Sequence, residues 1–274
     1  MNILNSFSLQ GKVIVITGAT GVLGESFVKA VAQAKAKVVI MGLNKERAEE
    51  RKAMAQENGA EEAIVVLADV LNEEDIRRAK KEIIENFGTI DGLVNAAGGN
   101  VPGATLSPDD DLFSLDMSDI KKAIELNLYG TMIPTQILGQ VIAEKGSGSI
   151  VNISSLAADR PLTRVLGYTV AKNGIAGYTK WMATELSLRY GDKVRVNAIA
   201  PGVFLTSQNK DLLIDQNGEY SSRAQKFINN TPFSRLGSPE ELQGTLIYLL
   251  SDASSFVNGE TVFVDGGFSA WSGV

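Results

Sequence analysis

Seven short runs of β-branched and other apolar residues punctuate the chain, at Val13–Thr17, Val38–Met41, Ile64–Leu67, Gly92–Asn95, Ser149–Ser154, Val194–Ala200 and Thr261–Val264. Val13-Ile14-Val15-Ile16 is apolar at every position, where a strand with one wet face would alternate. Strands of that kind are buried on both faces and belong to parallel sheets. Between the runs, apolar residues recur with a helical period, as in Ser26–Lys35, Glu73–Phe87, Asp119–Ala143, Tyr168–Tyr190 and Pro239–Leu250. The alternation predicts a single α/β domain over residues 1–274, a doubly wound parallel sheet with helices on both faces. Two segments break the rhythm, Gly98–Met117 and Pro201–Ser238. Each follows the carboxyl end of a strand, where open α/β sheets bind ligands, so both are expected to be substrate loops.

Composition narrows the chemistry. The 274 residues include no cysteine and no histidine, which removes disulfides, thiol nucleophiles, histidine-based triads and most zinc sites. No metal is expected, and proton transfer falls to carboxylates, lysine or tyrosine. Thirty-two acidic against 26 basic side chains leave a net charge of −6, which argues against nucleic acid or an anionic membrane as partner. The first ten residues carry neither a basic start nor a long apolar run, so a cytoplasmic location is expected.

The first run ends in Thr17-Gly18-Ala19-Thr20-Gly21-Val22-Leu23-Gly24 and leads straight into a helix. Glycines there allow a tight turn, and the N–H groups of Val22 and Leu23 at a helix N-terminus suit a pyrophosphate; a turn that merely needs glycine is the plain alternative. The second run ends at Met41-Gly42-Leu43-Asn44-Lys45 with no acid to take a ribose hydroxyl, while Lys45 or Arg47 is placed for a 2′-phosphate, so NAD and NADP both stay open. After the third run, Asp69 is placed for an adenine amino group beside Val70, or to cap the helix starting near Asn72.

Tyr168 and Lys172 stand four residues apart and so share a helix face, downstream of Ser155 at a strand end. A nearby ammonium favours phenolate, and a tyrosine whose pKa falls from about 10 towards working pH is a usable acid or base.

These residues resemble the short-chain dehydrogenase/reductase family over nearly the whole chain, through the glycine turn, Asn95-Ala96-Ala97-Gly98, Asn127, Ser155, Tyr168/Lys172 and Pro201-Gly202. The resemblance implies a Rossmann-like fold, a nicotinamide dinucleotide (NAD or NADP), hydride transfer at a carbonyl or alcohol carbon, and a homotetramer. It implies that Tyr168 exchanges the proton, Ser155 holds the substrate oxygen, Lys172 binds the nicotinamide ribose and lowers the Tyr168 pKa, and Asn127 holds a water leading from Lys172 to solvent. Asn95 then braces the sheet facing the cofactor, with Ala97 and Gly98 beside it, and Pro201, Gly202 and Thr206 line the nicotinamide. The Gly-x-x-Gly-x-x-Gly spacing, with Val22 where short members carry glycine, looks more like the extended members. A dinucleotide-sensing protein without turnover would be expected to lack Ser155, Tyr168 or Lys172.

The stretches Ala97–Thr105, Asp109–Phe113, Ala158–Arg164 and Asp265–Ala270 resemble the sugar-acid branch that interconverts D-fructuronate and D-mannonate. Gluconate 5-dehydrogenation and 3-oxoacyl reduction are the alternatives. A sugar acid on an acidic protein requires local cations, for which Arg160, Arg164 and Lys210 are the candidates, with Asn100 and Gln208 for hydroxyl groups.

Overall fold

The computed structural model describes residues 3–206 and 209–273, so Gln208 lies outside the described residues. Seven parallel strands form one sheet in the order β3-β2-β1-β4-β5-β6-β7. They are β1 Val13–Thr17, β2 Lys37–Gly42, β3 Glu62–Leu67, β4 Gly92–Asn95, β5 Gly148–Ile153, β6 Val194–Pro201 and β7 Thr261–Val264. Each expected run is a strand, with edges shifted by up to two residues.

The two faces of β1 explain its unbroken apolar run. Ile14 and Ile16 pack with Phe27, Val28 and Val31 of α1 (Val22–Gln33) and Leu246 and Leu249 of α9 (Gln243–Leu250). Val13 and Val15 point the other way, into Ile76 and Ile83 of α3 (Glu73–Phe87), Ile137 and Leu138 of α5 (Gly130–Lys145), and Met182 and Leu186 of α6 (Leu166–Tyr190). Successive side chains on a strand alternate between faces, so a sheet covered on both sides has no polar register.

Three departures from the sequence expectation have physical causes. Helix α2 (Lys45–Glu57) carries no apolar stripe, because only Ala48 and Ala55 are buried; its start is set by the Asn44 side chain, which accepts the Arg47 N–H. The helix expected at Asp119–Ala143 is broken into α4 (Met117–Ile124), a π-helical turn over Glu125–Tyr129, and α5. The break falls one turn ahead of Pro134, which has no N–H for the helix ladder. The Pro201–Ser238 segment is no plain loop: it holds α7 (Lys210–Leu213) and α8 (Ser222–Asn229), packed through their own small core of Leu213, Ala224, Ile228 and Leu236.

Asn72, and not Asp69, caps α3, accepting from the N–H groups of Glu74 and Asp75. Asp69 instead accepts the Leu71 N–H at 2.9 Å in a local turn. Asn72→Ala is expected to cost about 1 kcal/mol and lower Tm by about 2–4 °C in thermal unfolding followed by circular dichroism. An unchanged Tm would remove the cap from the account.

The chain builds β2 and β3 on one side of β1, then crosses to β4 on the other, pairing Thr17 with Asn95 at the strand ends. Such a reversal opens a crevice at the carboxyl edge of the sheet.

Candidate active site

The glycine turn lies over this crevice. Gly18 has φ +64°, and a Cβ there would lie 2.7 Å from the Ala97 backbone, so only glycine lets the β1 turn sit on the end of β4. Thr17 ties the two together, its Oγ1 accepting from the N–H groups of Ala96 and Ala97 at 3.1 and 3.3 Å. Gly24 packs against the carbonyl of Gly18 and leaves no room for a side chain. Gly21 is the N-cap of α1, and no side chain caps that end. The first-turn N–H groups of Val22 and Leu23 therefore face a concave turn that a Cβ would fill, which fits a dinucleotide pyrophosphate.

Thr20 packs on the end of β2, where a Cβ on Gly42 would lie 2.7 Å from its Oγ1. Asn44 is engaged as the α2 cap through its side-chain oxygen. Val70 is buried and Asp69 half-buried beyond β3. Asp69 gives its N–H to Asp75, and this bond together with Arg78 holds the Asp75 carboxyl below its ordinary value.

At the end of β5, Ser155 starts a short turn and accepts the Ala157 N–H at 3.1 Å. Asn173 on α6 reaches back to the Ala157 carbonyl at 3.1 Å, which draws this turn onto the helix that carries Tyr168. Burial pushes the Tyr168 phenol above its ordinary value, while its hydrogen bond with Ser155 pulls it back in part. Lys172 is only 4% exposed, and its ammonium donates to the Ile153 carbonyl at 2.8 Å. That ammonium lies 5.4 Å from the centre of the Tyr168 ring, and burial lowers its pKa to about 8. The outcome for Tyr168 runs opposite to a lysine-driven fall, because desolvation of the phenolate outweighs the hydrogen bond that favours it.

Asn127 lies in the π-helical turn, fully buried. Its amide nitrogen donates to the carbonyls of Gly99 and Ala123 at 2.8 and 2.9 Å, and its oxygen accepts the Gly99 N–H at 3.0 Å. The side chain thus clamps the loop after β4. Gly98, at φ +156°, passes so close that a Cβ would stand 2.7 Å from Asn127 Oδ1 and 3.6 Å from Lys172 Nζ. Asn95 braces the sheet by donating to Thr135 Oγ1 and Asn152 Oδ1, both at 2.8 Å. Asn152 continues the chain to Thr179 on α6 at 2.9 Å.

Pro201 ends β6 opposite Val264, and the Gly202 N–H donates to Val264 at 2.9 Å. The Thr206 N–H is held by the Asn209 side chain at 2.8 Å. Asn100 and Lys210 are exposed on the loops after β4 and β6. Arg160 does not stand free for a ligand: it donates through Nε and Nη2 to the Ser269 carbonyl, at 3.2 and 2.9 Å, and pairs with Asp159 at 3.3 Å. Arg164 donates to the Leu106 carbonyl. The sequence reading missed the bracing by Thr17, although the residue opens the glycine motif; its position as the last residue of a strand was the available signal.

A phosphate-cradling turn at the switch point beside a serine, a tyrosine and a buried lysine defines a dinucleotide-dependent oxidoreductase. A family model described as enoyl-(acyl carrier protein) reductase, one of the short-chain dehydrogenase/reductase models, matches residues 18–269. The chain is 40% identical to an uncharacterized oxidoreductase of Haemophilus influenzae, over all of this chain and 99% of that one. Its fold matches a Haemophilus structure provisionally described as a D-mannonate oxidoreductase with bound NAD, at TM-score 0.91 and 39% identity over 99% of each chain. It also matches a gluconate 5-dehydrogenase of Burkholderia cenocepacia in complex with NADP and tartrate, at TM-score 0.86 and 30% identity over 98% of this chain and 99% of that one. The chain belongs to the short-chain dehydrogenase/reductase family, and it is an NAD(P)-dependent oxidoreductase.

Proposed function

We propose that the protein interconverts D-fructuronate and D-mannonate. The observation that carries the reaction type is the grouping of Ser155, Tyr168 and the buried Lys172 at the crevice. The similarity to the Haemophilus structure provisionally described as a D-mannonate oxidoreductase supports the substrate.

Residues 18–24, with Thr20 against Gly42 and Asp69 and Val70 beyond, hold the dinucleotide, and Lys172 takes the nicotinamide ribose. Bound there, the nicotinamide supplies or accepts the hydride at the substrate carbon. In reduction, the Ser155 and Tyr168 hydroxyls hold the substrate carbonyl oxygen between them, and Tyr168 gives it a proton as it becomes a hydroxyl. Lys172, on the same helix face, offsets the phenolate that remains. Asn127 keeps Gly98 and Gly99 in place beside Lys172, and Pro201, Gly202 and Thr206 close the far side. Residues 98–117 and 201–238 form the substrate loops. Exposed apolar residues along α6, Val170, Trp181 and Leu188, support assembly into a homotetramer.

The test follows NADH and NADPH oxidation with D-fructuronate, 5-keto-D-gluconate and an acetoacetyl thioester. Turnover of D-fructuronate well above the others is expected. Turnover of 5-keto-D-gluconate alone would move the chain to gluconate chemistry, the reading favoured by the Burkholderia relative.

A further inference from the structure

Helix α6 carries Tyr168 as its third residue, so the place of the phenol depends on how that end of the helix is held. The first four N–H groups of a helix have no partner within it, and a side chain at the N-cap commonly supplies one. Here the N-cap is Val165, which supplies none, and Leu166 after it is exposed. Gly167 packs on α4, where a Cβ would lie 2.9 Å from the Ile120 carbonyl oxygen, and this contact supports the turn from one side. What holds the chain as it enters the turn is Arg164.

Arg164 and Leu106 grip each other twice. The Leu106 N–H donates to the Arg164 carbonyl at 2.9 Å, and the Arg164 Nε donates to the Leu106 carbonyl. Arg164 is half-buried, and its backbone sits at φ +79°, a conformation that a residue with a Cβ keeps only where its surroundings impose it. The side chain reaches back to a loop 58 residues earlier and so fixes the chain reversal from which α6 starts.

Leu106 is itself a fixed point. It ends the stretch that begins at Gly99, whose N–H and carbonyl are both engaged by Asn127. Between them Ala104 is buried, and Gly103 passes so close to the Asp119 carboxylate of α4 that it leaves no room for a side chain. The seated loop is the abutment, and Arg164 transmits its position to the first turn of α6.

We propose that Arg164 is a positioning residue for Tyr168: its hydrogen bond to Leu106 keeps the first turn of α6 from fraying and so holds the phenol at the substrate oxygen. This rests on the reading of Tyr168 as the proton donor, and the test keeps the two apart. Glutamine places its amide nitrogen as many bonds from Cα as the Nε of arginine, so Arg164→Gln keeps a donor there without the charge, whereas Arg164→Met keeps the length without the donor. Reduction of the three carbonyls named above is followed by steady-state kinetics in wild type, both variants and Tyr168→Phe. Amide hydrogen exchange of the cofactor-free proteins is followed at Thr169 and Val170, where the helix ladder begins with the Thr169 N–H on the Val165 carbonyl.

Arg164→Met is expected to lower kcat by about 10–100-fold, the cost of misplacing a reacting group by about 1 Å, with KM for the carbonyl within about twofold of wild type. Exchange at Thr169 and Val170 should quicken by about tenfold as the turn opens. Arg164→Gln should recover most of both losses. Wild-type kcat and exchange in Arg164→Met overturn the proposal. So does an Arg164→Gln as impaired as Arg164→Met, since the charge would then be what matters, and so does a raised KM at unchanged kcat, which would put the side chain on the substrate. Faster exchange in Arg164→Met with kcat kept overturns the positioning role if Tyr168→Phe is inactive; if Tyr168→Phe is as active as wild type, it overturns the proton donor and keeps the anchor. If wild type reduces none of the three carbonyls, the proposed reaction falls and the exchange rates alone decide the anchor.

Discussion

Tyr168→Phe is expected to lower kcat by about 10²–10⁴-fold, the usual worth of a positioned acid or base, with NADH binding unchanged. The substitution removes one oxygen and keeps the ring, so the packing around Tyr168 and the Lys172 ammonium over its face is preserved. Because burial pushes the phenol above its ordinary value, it carries its proton at neutral pH in the cofactor-free chain. That state is ready to donate, so reduction should be independent of pH across neutrality. Steady-state rates at saturating NADH, beside a fluorescence titration of the cofactor, check both parts. Activity within tenfold of wild type would remove Tyr168 from the proton transfer.

Lys172→Met is expected to cost about 10²-fold or more in kcat/KM, the size of one or two charge-assisted hydrogen bonds, and to erase a distinct pH dependence of stability. The Lys172 pKa is lowered from 10.5 to about 8 by burial, so between those values the unfolded chain binds a proton that the folded chain does not. Stability of the cofactor-free protein therefore rises with pH across that window, by on the order of 3 kcal/mol. Below about pH 8 both states carry the proton and the full cost of the buried charge is present; above 10.5 neither does. Urea unfolding of both proteins from pH 7.5 to 10.5 measures the difference directly, since all other titrating groups are shared. Parallel pH curves for the two would mean that Lys172 is not buried as charged ammonium.

Part of the site was visible in the chain alone because it depends on local geometry. Tyr168 and Lys172 meet on one helix face by a spacing of four, and the glycine turn follows its strand without a break. The fold was legible for a similar reason: a strand covered on both faces must be apolar at every residue, and Val13–Thr17 is buried throughout. Helix α2 was hidden by its polar composition, and α8 by being too short to show a period.

What the sequence determined by itself, then, is the order of the strands, the glycine turn after the first of them and the spacing that puts Tyr168 and Lys172 on one helix face, all set by periods and spacings within a few residues. The tertiary structure decided how those side chains are used. The Lys172 ammonium donates a hydrogen bond to the carbonyl of Ile153, 19 residues away, and Asn127 spends its amide on Gly99, 28 residues away. Arg160 is consumed by Ser269, 109 residues on, and Arg164 donates to Leu106, 58 residues back. Desolvation and hydrogen-bond partners come from segments distant along the chain, and only their packing together sets whether a charge is buried, paired or left for a ligand.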